Sequence, residues 1–156
     1  MSDLPPESAQ LEPLIGTWKG QGHGDYPTIE PFDYLEEVSF STIPTKPFLV
    51  YTQKTRHAET GAPLHTEAGY VRSVEPGRVE LTISQPTGIV EVHSGTIEDG
   101  VFAFMSDRVV TTPTAVDVSA CTRTITVTAD VLSYVLAMEA VGEPLTKHLT
   151  ARLVRV

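Results

Sequence analysis

Five histidines are the residues of this chain best suited to chemistry, and one of them stands apart. His148 is the lone histidine of a strand-like segment, residues 145–156, near the carboxyl end. A neutral imidazole binds a metal ion through one ring nitrogen and exchanges protons near neutral pH. The other four are His23, His57, His65 and His93. We expect His23 to be exposed in a loop-like stretch, and His57 and His93 to face solvent among charged neighbours.

The pattern around His148 contains a conflict. Leu149, Ala151 and Leu153 form one apolar face of the last predicted strand, and strict alternation places His148 on the opposite face. His148 reaches the apolar side only where the strand is irregular, for example at a β-bulge or at a strand start. Pro144, just upstream, favours such an irregular entry.

Other catalytic arrangements are missing from the sequence. It has no G-x-S-x-G elbow, no H-E-x-x-H motif and no phosphate-binding glycine loop. Glu36 and Glu37 are adjacent, so in a strand they point to opposite faces and cannot act as a carboxylate pair.

Short β-rich segments and turns organise nearly the whole chain as one domain, residues 1–156, with residues 1–10 as a flexible tail. A short helix is predicted over residues 8–15, with Ser8 as its N-cap and Gly16 just past its end. The spacing predicts about ten antiparallel strands without βαβ units, in a closed up-and-down barrel or a sandwich. The predicted strands are residues 18–21, 34–42, 48–56, 64–74, 78–84, 89–97, 101–106, 116–128, 132–141 and 145–156. A barrel of eight to ten strands is wide enough to hold a small apolar ligand.

Composition excludes several classes of partner. The net charge is −9, and the 11 lysines and arginines are scattered. Binding to nucleic acid or to an anionic membrane needs concentrated positive charge, so neither partner is expected. The amino terminus lacks the basic start and apolar stretch of a secretory signal. The single cysteine, Cys121, cannot form an internal disulfide, and we expect a cytoplasmic location.

A G-x-W-x-G-x-G run covers residues 16–22, with Gly16, Trp18, Gly20 and Gly22 as its fixed members. A tryptophan at the start of a first strand can close one end of a barrel. The G-x-W opening is similar to that of lipocalins and intracellular fatty-acid-binding proteins. An ordinary core tryptophan beside turn glycines is the alternative interpretation.

A longer series of motifs resembles the nitrobindin family. Besides residues 16–22, the similar segments in family order are 26–29, 34–37, 51–55, 61–67, 69–70, 132–134 and 144–149. The likeness extends from about Leu14 to the carboxyl end. It implies an all-β barrel of about ten antiparallel strands that binds one b-type haem.

The resemblance also implies roles for single residues. His148 matches the axial ligand of the haem iron, and His65 matches a histidine on the distal side. Leu64, Gln85 and Met138 match further cavity positions, and Thr28 matches a residue near the haem. For Leu64 and Met138, plain core packing is an equal alternative. One departure concerns a lysine that other members carry near the start of the strand at residue 116. Here Val116 and Asp117 stand in that region, and Asp117 would repel a haem propionate.

The implied activity is isomerisation of peroxynitrite to nitrate on a ferric haem, with reversible binding of nitric oxide. The expected partners are therefore small molecules, and the chain is expected to be a monomer or a homodimer. Two other functions stay open: the lipocalin-like opening allows a carrier of fatty acid or another apolar small molecule, and the resemblance also allows a haem-based nitric oxide sensor without turnover.

Overall fold

Ten antiparallel strands close into one barrel in a computed structural model, which describes residues 3–156. Each strand pairs with the next one along the chain, and β1 pairs with β10 to close the barrel. The predicted barrel is confirmed, and the sandwich is excluded. The strands are β1 Gly16–Tyr26, β2 Ile29–Thr42, β3 Phe48–His57, β4 Pro63–Glu75, β5 Arg78–Gln85, β6 Ile89–Glu98, β7 Val101–Thr111, β8 Val118–Thr128, β9 Val131–Ala140 and β10 Thr146–Arg155.

One end of the barrel is filled by an apolar core. Trp18 is fully buried there, and its indole Nε1 donates a hydrogen bond to the Leu14 carbonyl oxygen at 2.8 Å. Buried side chains from seven other strands pack in the same cluster, among them Phe40, Leu49, Val71, Leu81, Phe102, Leu132 and Leu153. The tryptophan of the opening motif therefore plugs this closed end, as predicted.

A 3-10 helix, Pro6–Leu14, covers the closed end with buried Leu11 and Leu14. It begins earlier than predicted, and Ser8 is not its N-cap. Pro5 occupies the cap position without a side-chain hydrogen bond, because Pro6 fixes a helical φ at the first position and has no N–H to satisfy. None of the helices formed by residues 3–156 is long and apolar enough to cross a membrane.

The segment predicted as a flexible tail is packed in its described part. Leu4 and Ser8 are buried, and Gln10 donates a hydrogen bond to the Ser73 hydroxyl on β4 at 2.7 Å. The prediction is therefore wrong for residues 3–10, since apolar burial and a side-chain bond hold them to the barrel. Met1 and Ser2 of the predicted tail lie outside the described residues.

The glycines of the opening motif make room inside the barrel. A Cβ at Gly20 would overlap the Arg152 carbonyl oxygen and the Leu153 backbone of β10. A Cβ at Gly22 would overlap the ring of Tyr34, which lies across β1 at that point. Past Trp18, the inward face of β1 therefore lacks side chains at Gly20 and Gly22, so that β10 and an aromatic ring can approach it closely.

We expect Gly20→Ala to lower the free energy of unfolding by about 3 kcal/mol, because the Arg152 and Leu153 backbone cannot rotate away from the added methyl group. Urea unfolding followed by Trp18 fluorescence measures this. Gln21→Ala, an exposed position next to it, is the matched control and should change stability by no more than about 0.5 kcal/mol. A Gly20→Ala chain as stable as the wild type would contradict this close approach of β1 and β10.

Candidate functional site

A cavity of about 540 Å³ fills the half of the barrel opposite the tryptophan plug. Because the strands are antiparallel, their ends at residues 26, 29, 57, 63, 85, 89, 111, 118, 140 and 146 meet at this open end. A volume in this range suits a small organic ligand. The deep wall is apolar and includes Val38, Phe40, Ile125 and Leu132.

A β-bulge turns His148 into the cavity. The pairing of β10 with β9 shifts by one residue between Lys147 and Leu149, so His148 is the extra residue on its strand. His148 and Leu149 consequently both line the cavity, although they are neighbours in sequence. The alternation pattern predicted an irregular strand at His148, and the β-bulge is found at that residue.

The His148 ring is held from the β1 side. Its Nδ1 lies 3.1 Å from the Asp25 carbonyl oxygen, which can only accept, so Nδ1 carries the proton and Nε2 carries the lone pair. The ring packs edge-on against Tyr26, with ring centroids 5.4 Å apart. Burial lowers the pKa of His148, although the bond to Asp25 opposes this. A neutral imidazole with one free nitrogen is the form that binds a metal.

The structure brings most of the other predicted site residues to the same cavity. The cavity lining includes His65, Leu64, Gln85 and Met138. Thr28 lies outside that lining, exposed in the turn between β1 and β2 at the open end. Val116 also lines the cavity rim and is 60% exposed.

Two polar residues among these are turned toward the cavity floor. His65 Nε2 lies 3.2 Å from Glu67 Oε2, and the Gln85 amide donates a short hydrogen bond to Glu91 Oε2. Both polar groups are thus engaged by buried carboxylates. The upper cavity is left with mainly apolar surfaces, to which Leu64 and Met138 contribute.

A buried ion-pair network, which we call the polar belt, forms the cavity floor. The Arg123 guanidinium donates to Glu67 at 2.6 and 3.2 Å and to Glu91 at 2.7 and 3.1 Å. Burial opposes ionisation of both carboxyl groups, but the charge of Arg123 prevails. It lowers the pKa of Glu67 to about 2 and holds the pKa of Glu91 well below its usual range. Tyr51 also donates to Glu67, at 2.7 Å.

Glu36 extends the polar belt and has no cation bonded to it among residues 3–156. Its Oε2 accepts hydrogen bonds from Gln53 Nε2 at 2.6 Å and from the Tyr134 hydroxyl at 3.0 Å. The Tyr134 hydroxyl lies 2.7 Å from that of Tyr34. Burial raises the pKa of Glu36 to about 7, although both hydrogen bonds favour the ionised form. Glu36 and Glu37 face opposite sides as predicted, with Glu37 outside between Lys19 and Lys54.

The prediction for His93 is wrong. His93 is 1% exposed, and its Nε2 lies 2.9 Å from Glu91 Oε1 inside the barrel. Glu91, the charged neighbour that suggested solvent exposure of His93, is itself buried, because the charge of Arg123 compensates its carboxylate. His57 is half-buried at the cavity rim instead of fully solvent-facing, whereas His23 is half-exposed on the outer surface beside Asp33.

A second set of potential metal ligands lies behind the cavity floor. Ligand atoms of Glu91, His93 and Cys121 lie within 4.8 Å of one another, and all three residues are buried. Both Glu91 oxygens are already bonded to Arg123, and burial raises the pKa of Cys121 to about 12. A protonated thiol and a carboxylate held by arginine are poor metal ligands, so His148 remains the candidate ligand.

The donor set at the open end fits a haem group. One neutral imidazole enters from a strand with Nε2 free, and largely apolar surfaces surround the space it enters. A single histidine with an otherwise apolar pocket is a common form of haem ligation.

The polar belt, in contrast, was not predicted from the sequence. Its signal was the inward position of Glu36, on the same strand face as Tyr34, Val38 and Phe40.

We expect Glu36→Gln to change how stability depends on pH. Between the ordinary value of 4.5 and about 7, the folded chain holds a proton on Glu36 that the unfolded chain releases, so raising the pH lowers wild-type stability. Relative to wild type, the variant should gain up to about 3 kcal/mol between pH 5 and pH 8. Urea unfolding at both pH values measures the difference. Glu37→Gln, on the outer face, is the control and should show no such gain.

Comparison with known proteins supplies the family. A family model described as THAP4-like, heme-binding beta-barrel domain matches residues 7–155. Peroxynitrite isomerase 2 of Mycobacterium marinum is 52% identical over 99% of this chain and 98% of its own length. The peroxynitrite isomerase of Nocardia farcinica is 49% identical over 97% and 92%.

The solved structures agree with this assignment. The crystal structure of Rv2717c from M. tuberculosis matches with a TM-score of 0.91 and 46% identity, over 98% of this chain and 99% of that one. The expected membership of the nitrobindin family is thus confirmed: the chain belongs to the THAP4-like, heme-binding β-barrel domains.

Proposed function

We propose that this chain binds one ferric haem b in its cavity, with His148 as the axial ligand, and isomerises peroxynitrite to nitrate. The observation that carries the proposal is the bulge at His148, which aims a neutral imidazole with a free Nε2 into the apolar cavity. The similar mycobacterial and Nocardia proteins, which are named peroxynitrite isomerases, support the same reaction.

When bound, ferric haem supplies a Lewis-acidic iron at which peroxynitrite rearranges to nitrate. The reactant and product contain the same atoms and carry the same charge, so the protein need not supply a reductant or a net proton. The chain would hold the iron through His148 and leave the cavity accessible to a small anion.

His148 holds its place through two contacts. The Asp25 carbonyl fixes the tautomer, and the Tyr26 ring limits rotation of the imidazole. Tyr26 is itself anchored, since its hydroxyl donates to the Met138 carbonyl at 3.0 Å and accepts from the Ala140 N–H at 3.2 Å. Such support around a metal ligand sets its orientation and basicity.

The remaining predicted residues shape the cavity around the reacting anion. Leu64 and Met138 contribute apolar surface, while His65 and Gln85 are bonded to carboxylates of the polar belt. Few donors are therefore free to stabilise a bound dioxygen, which suits ferric chemistry better than oxygen storage. We propose that Thr28, in the turn between β1 and β2 at the open end, would lie near the edge of the haem. Nitric oxide would bind the same iron as peroxynitrite.

The polar belt argues against a fatty-acid carrier that binds the carboxylate of its ligand at the cavity floor. With Glu36 ionised, the floor holds three carboxylates against the single guanidinium of Arg123, whose donors are already used by Glu67 and Glu91. A fatty-acid carboxylate at this depth would have no cation to pair with.

We further propose that the protein is cytoplasmic and acts as a monomer or a homodimer.

His148→Ala should abolish the Soret band of five-coordinate ferric haem in hemin-loaded protein, because Nε2 is the proposed iron ligand. The acceleration of peroxynitrite decay should fall by at least about tenfold. Even the loss of a group that supports a metal ligand lowers metal affinity or activity by about this factor. Absorption spectra and stopped-flow decay measure the two effects.

His23→Ala, a half-exposed histidine on the outer surface, is the control for that experiment and should behave as the wild type. An unchanged spectrum in His148→Ala would remove His148 as the ligand. Haem-loaded wild type that fails to accelerate peroxynitrite decay would exclude the isomerase and leave the nitric oxide sensor.

Val116→Lys should strengthen hemin binding by up to about fivefold, because an exposed ion pair with a propionate is worth roughly 0 to 1 kcal/mol. Val116 suits the test since it lines the cavity rim and is 60% exposed. Hemin titration followed at the Soret band measures the affinity. Val110→Lys, 56% exposed and outside the cavity lining, controls for the added charge. Equal gains in both variants would refute a specific pairing at residue 116.

A further inference from the structure

Two hydrogen-bond acceptors at the cavity floor have no partner among the described residues. They are Glu36 Oε1 and Gln53 Oε1, on side chains that are 4% and 5% exposed. Both residues line the cavity. A buried acceptor without a donor costs about 1–3 kcal/mol, so the fold tolerates two such costs at one place. Two unmatched acceptors on residues that line an open space indicate a site for a donor.

The charges around Glu36 define which donor fits. Arg123 uses its described contacts on Glu67 and Glu91, and no lysine or second arginine lines the cavity among residues 3–156. The groups that reach Glu36 itself are the neutral Gln53 amide and the neutral Tyr134 hydroxyl. When ionised, Glu36 therefore lacks a positive partner among the described residues, and a cation that pairs with it would come from outside the chain.

We propose that the cavity floor is a second binding site, distinct from the histidine at the open end, for the ammonium group of a small primary amine. The ammonium donates to Glu36 Oε1 and Gln53 Oε1. The apolar body of the amine then packs on the deep wall formed by Val38, Phe40, Ile125 and Leu132. The site belongs to the chain alone and does not depend on the haem proposal.

The donor count favours an amine over other small molecules. An ammonium group has three donors, no acceptor and a positive charge, which matches two acceptors beside an unpaired carboxylate. An alcohol offers one donor and no charge. A carboxylic acid, ionised at neutral pH, brings only acceptors and a further negative charge to a floor that already holds Glu67 and Glu91.

Amine binding is coupled to the protonation of Glu36. Tyr34 and Tyr134, with pKa values raised by burial, stay neutral, and Arg123 stays paired with Glu67 and Glu91, so Glu36 is the belt group that titrates near neutral pH. An ammonium requires the ionised carboxylate, so binding below about pH 7 releases the Glu36 proton to solvent. Affinity should accordingly rise about tenfold from pH 6 to pH 8.

Calorimetric titration of the full chain with n-hexylamine tests the proposal, with n-hexanol and hexanoate as matched probes. The expected result is hexylammonium binding at least tenfold tighter than hexanol, since a charged hydrogen bond is the difference. Hexanoate should not bind. At pH 6, the heat measured in two buffers of different ionisation enthalpy should reveal release of close to one proton.

Two variants locate the amine. Glu36→Gln keeps the size of the side chain and should weaken hexylammonium binding at least tenfold while leaving hexanol unchanged. His148→Ala should bind hexylammonium as the wild type does, which separates this site from the proposed haem site. Equal binding of hexanol and hexylammonium, absence of proton release, or loss of binding in His148→Ala would each overturn the proposal. If Glu36→Gln fails to fold, proton release in the wild type decides.

Discussion

The pairing of one guanidinium with two carboxylates inside the barrel is the constraint on which the site depends. Arg123 lies on β8, Glu67 on β4 and Glu91 on β6, so the ion pairs join strands that are not neighbours in the sheet. A buried charge left without its partner costs several kcal/mol, so these three residues must meet across the lumen whenever the barrel closes. The polar belt therefore fixes where the barrel is filled and where it stays empty.

Toward the closed end, the barrel is packed as a normal core; around the polar belt and toward the open end, the side chains leave a cavity. Trp18, Phe102 and Leu153 fill the lower half, and the 3-10 helix closes it. In the upper half, β1 presents glycines inward, and Gly22 admits the ring of Tyr34 that leads through Tyr134 to Glu36. The opening G-x-W-x-G-x-G motif thus serves both halves: its tryptophan plugs one end, and its glycines create space next to the other.

The sequence predicted the fold well, because its signals are local. Turn residues and alternation placed all ten strands, and the conflict at His148 correctly required an irregularity, which is a β-bulge. The polar belt escaped prediction because it depends on the register of strands that are far apart in sequence. His93 was assigned to solvent for the same reason: Glu91 beside it reads as a surface charge until Arg123, 32 residues away, is known to face it. The helix start was misplaced because Pro6, not a hydroxyl cap, begins it.

The two ends of the cavity impose opposite electrostatic demands on whatever enters it. At the floor, the carboxylates of Glu67 and Glu91 outnumber the charge of Arg123, and Glu36 adds another negative charge when ionised. At the open end, His148 is kept neutral by burial and carries a free nitrogen. A ligand that bears carboxylates is consequently oriented with them toward solvent, since only there does water stabilise them. The polar belt, although it does not contact His148, thereby determines which edge of an acidic ligand points out of the cavity.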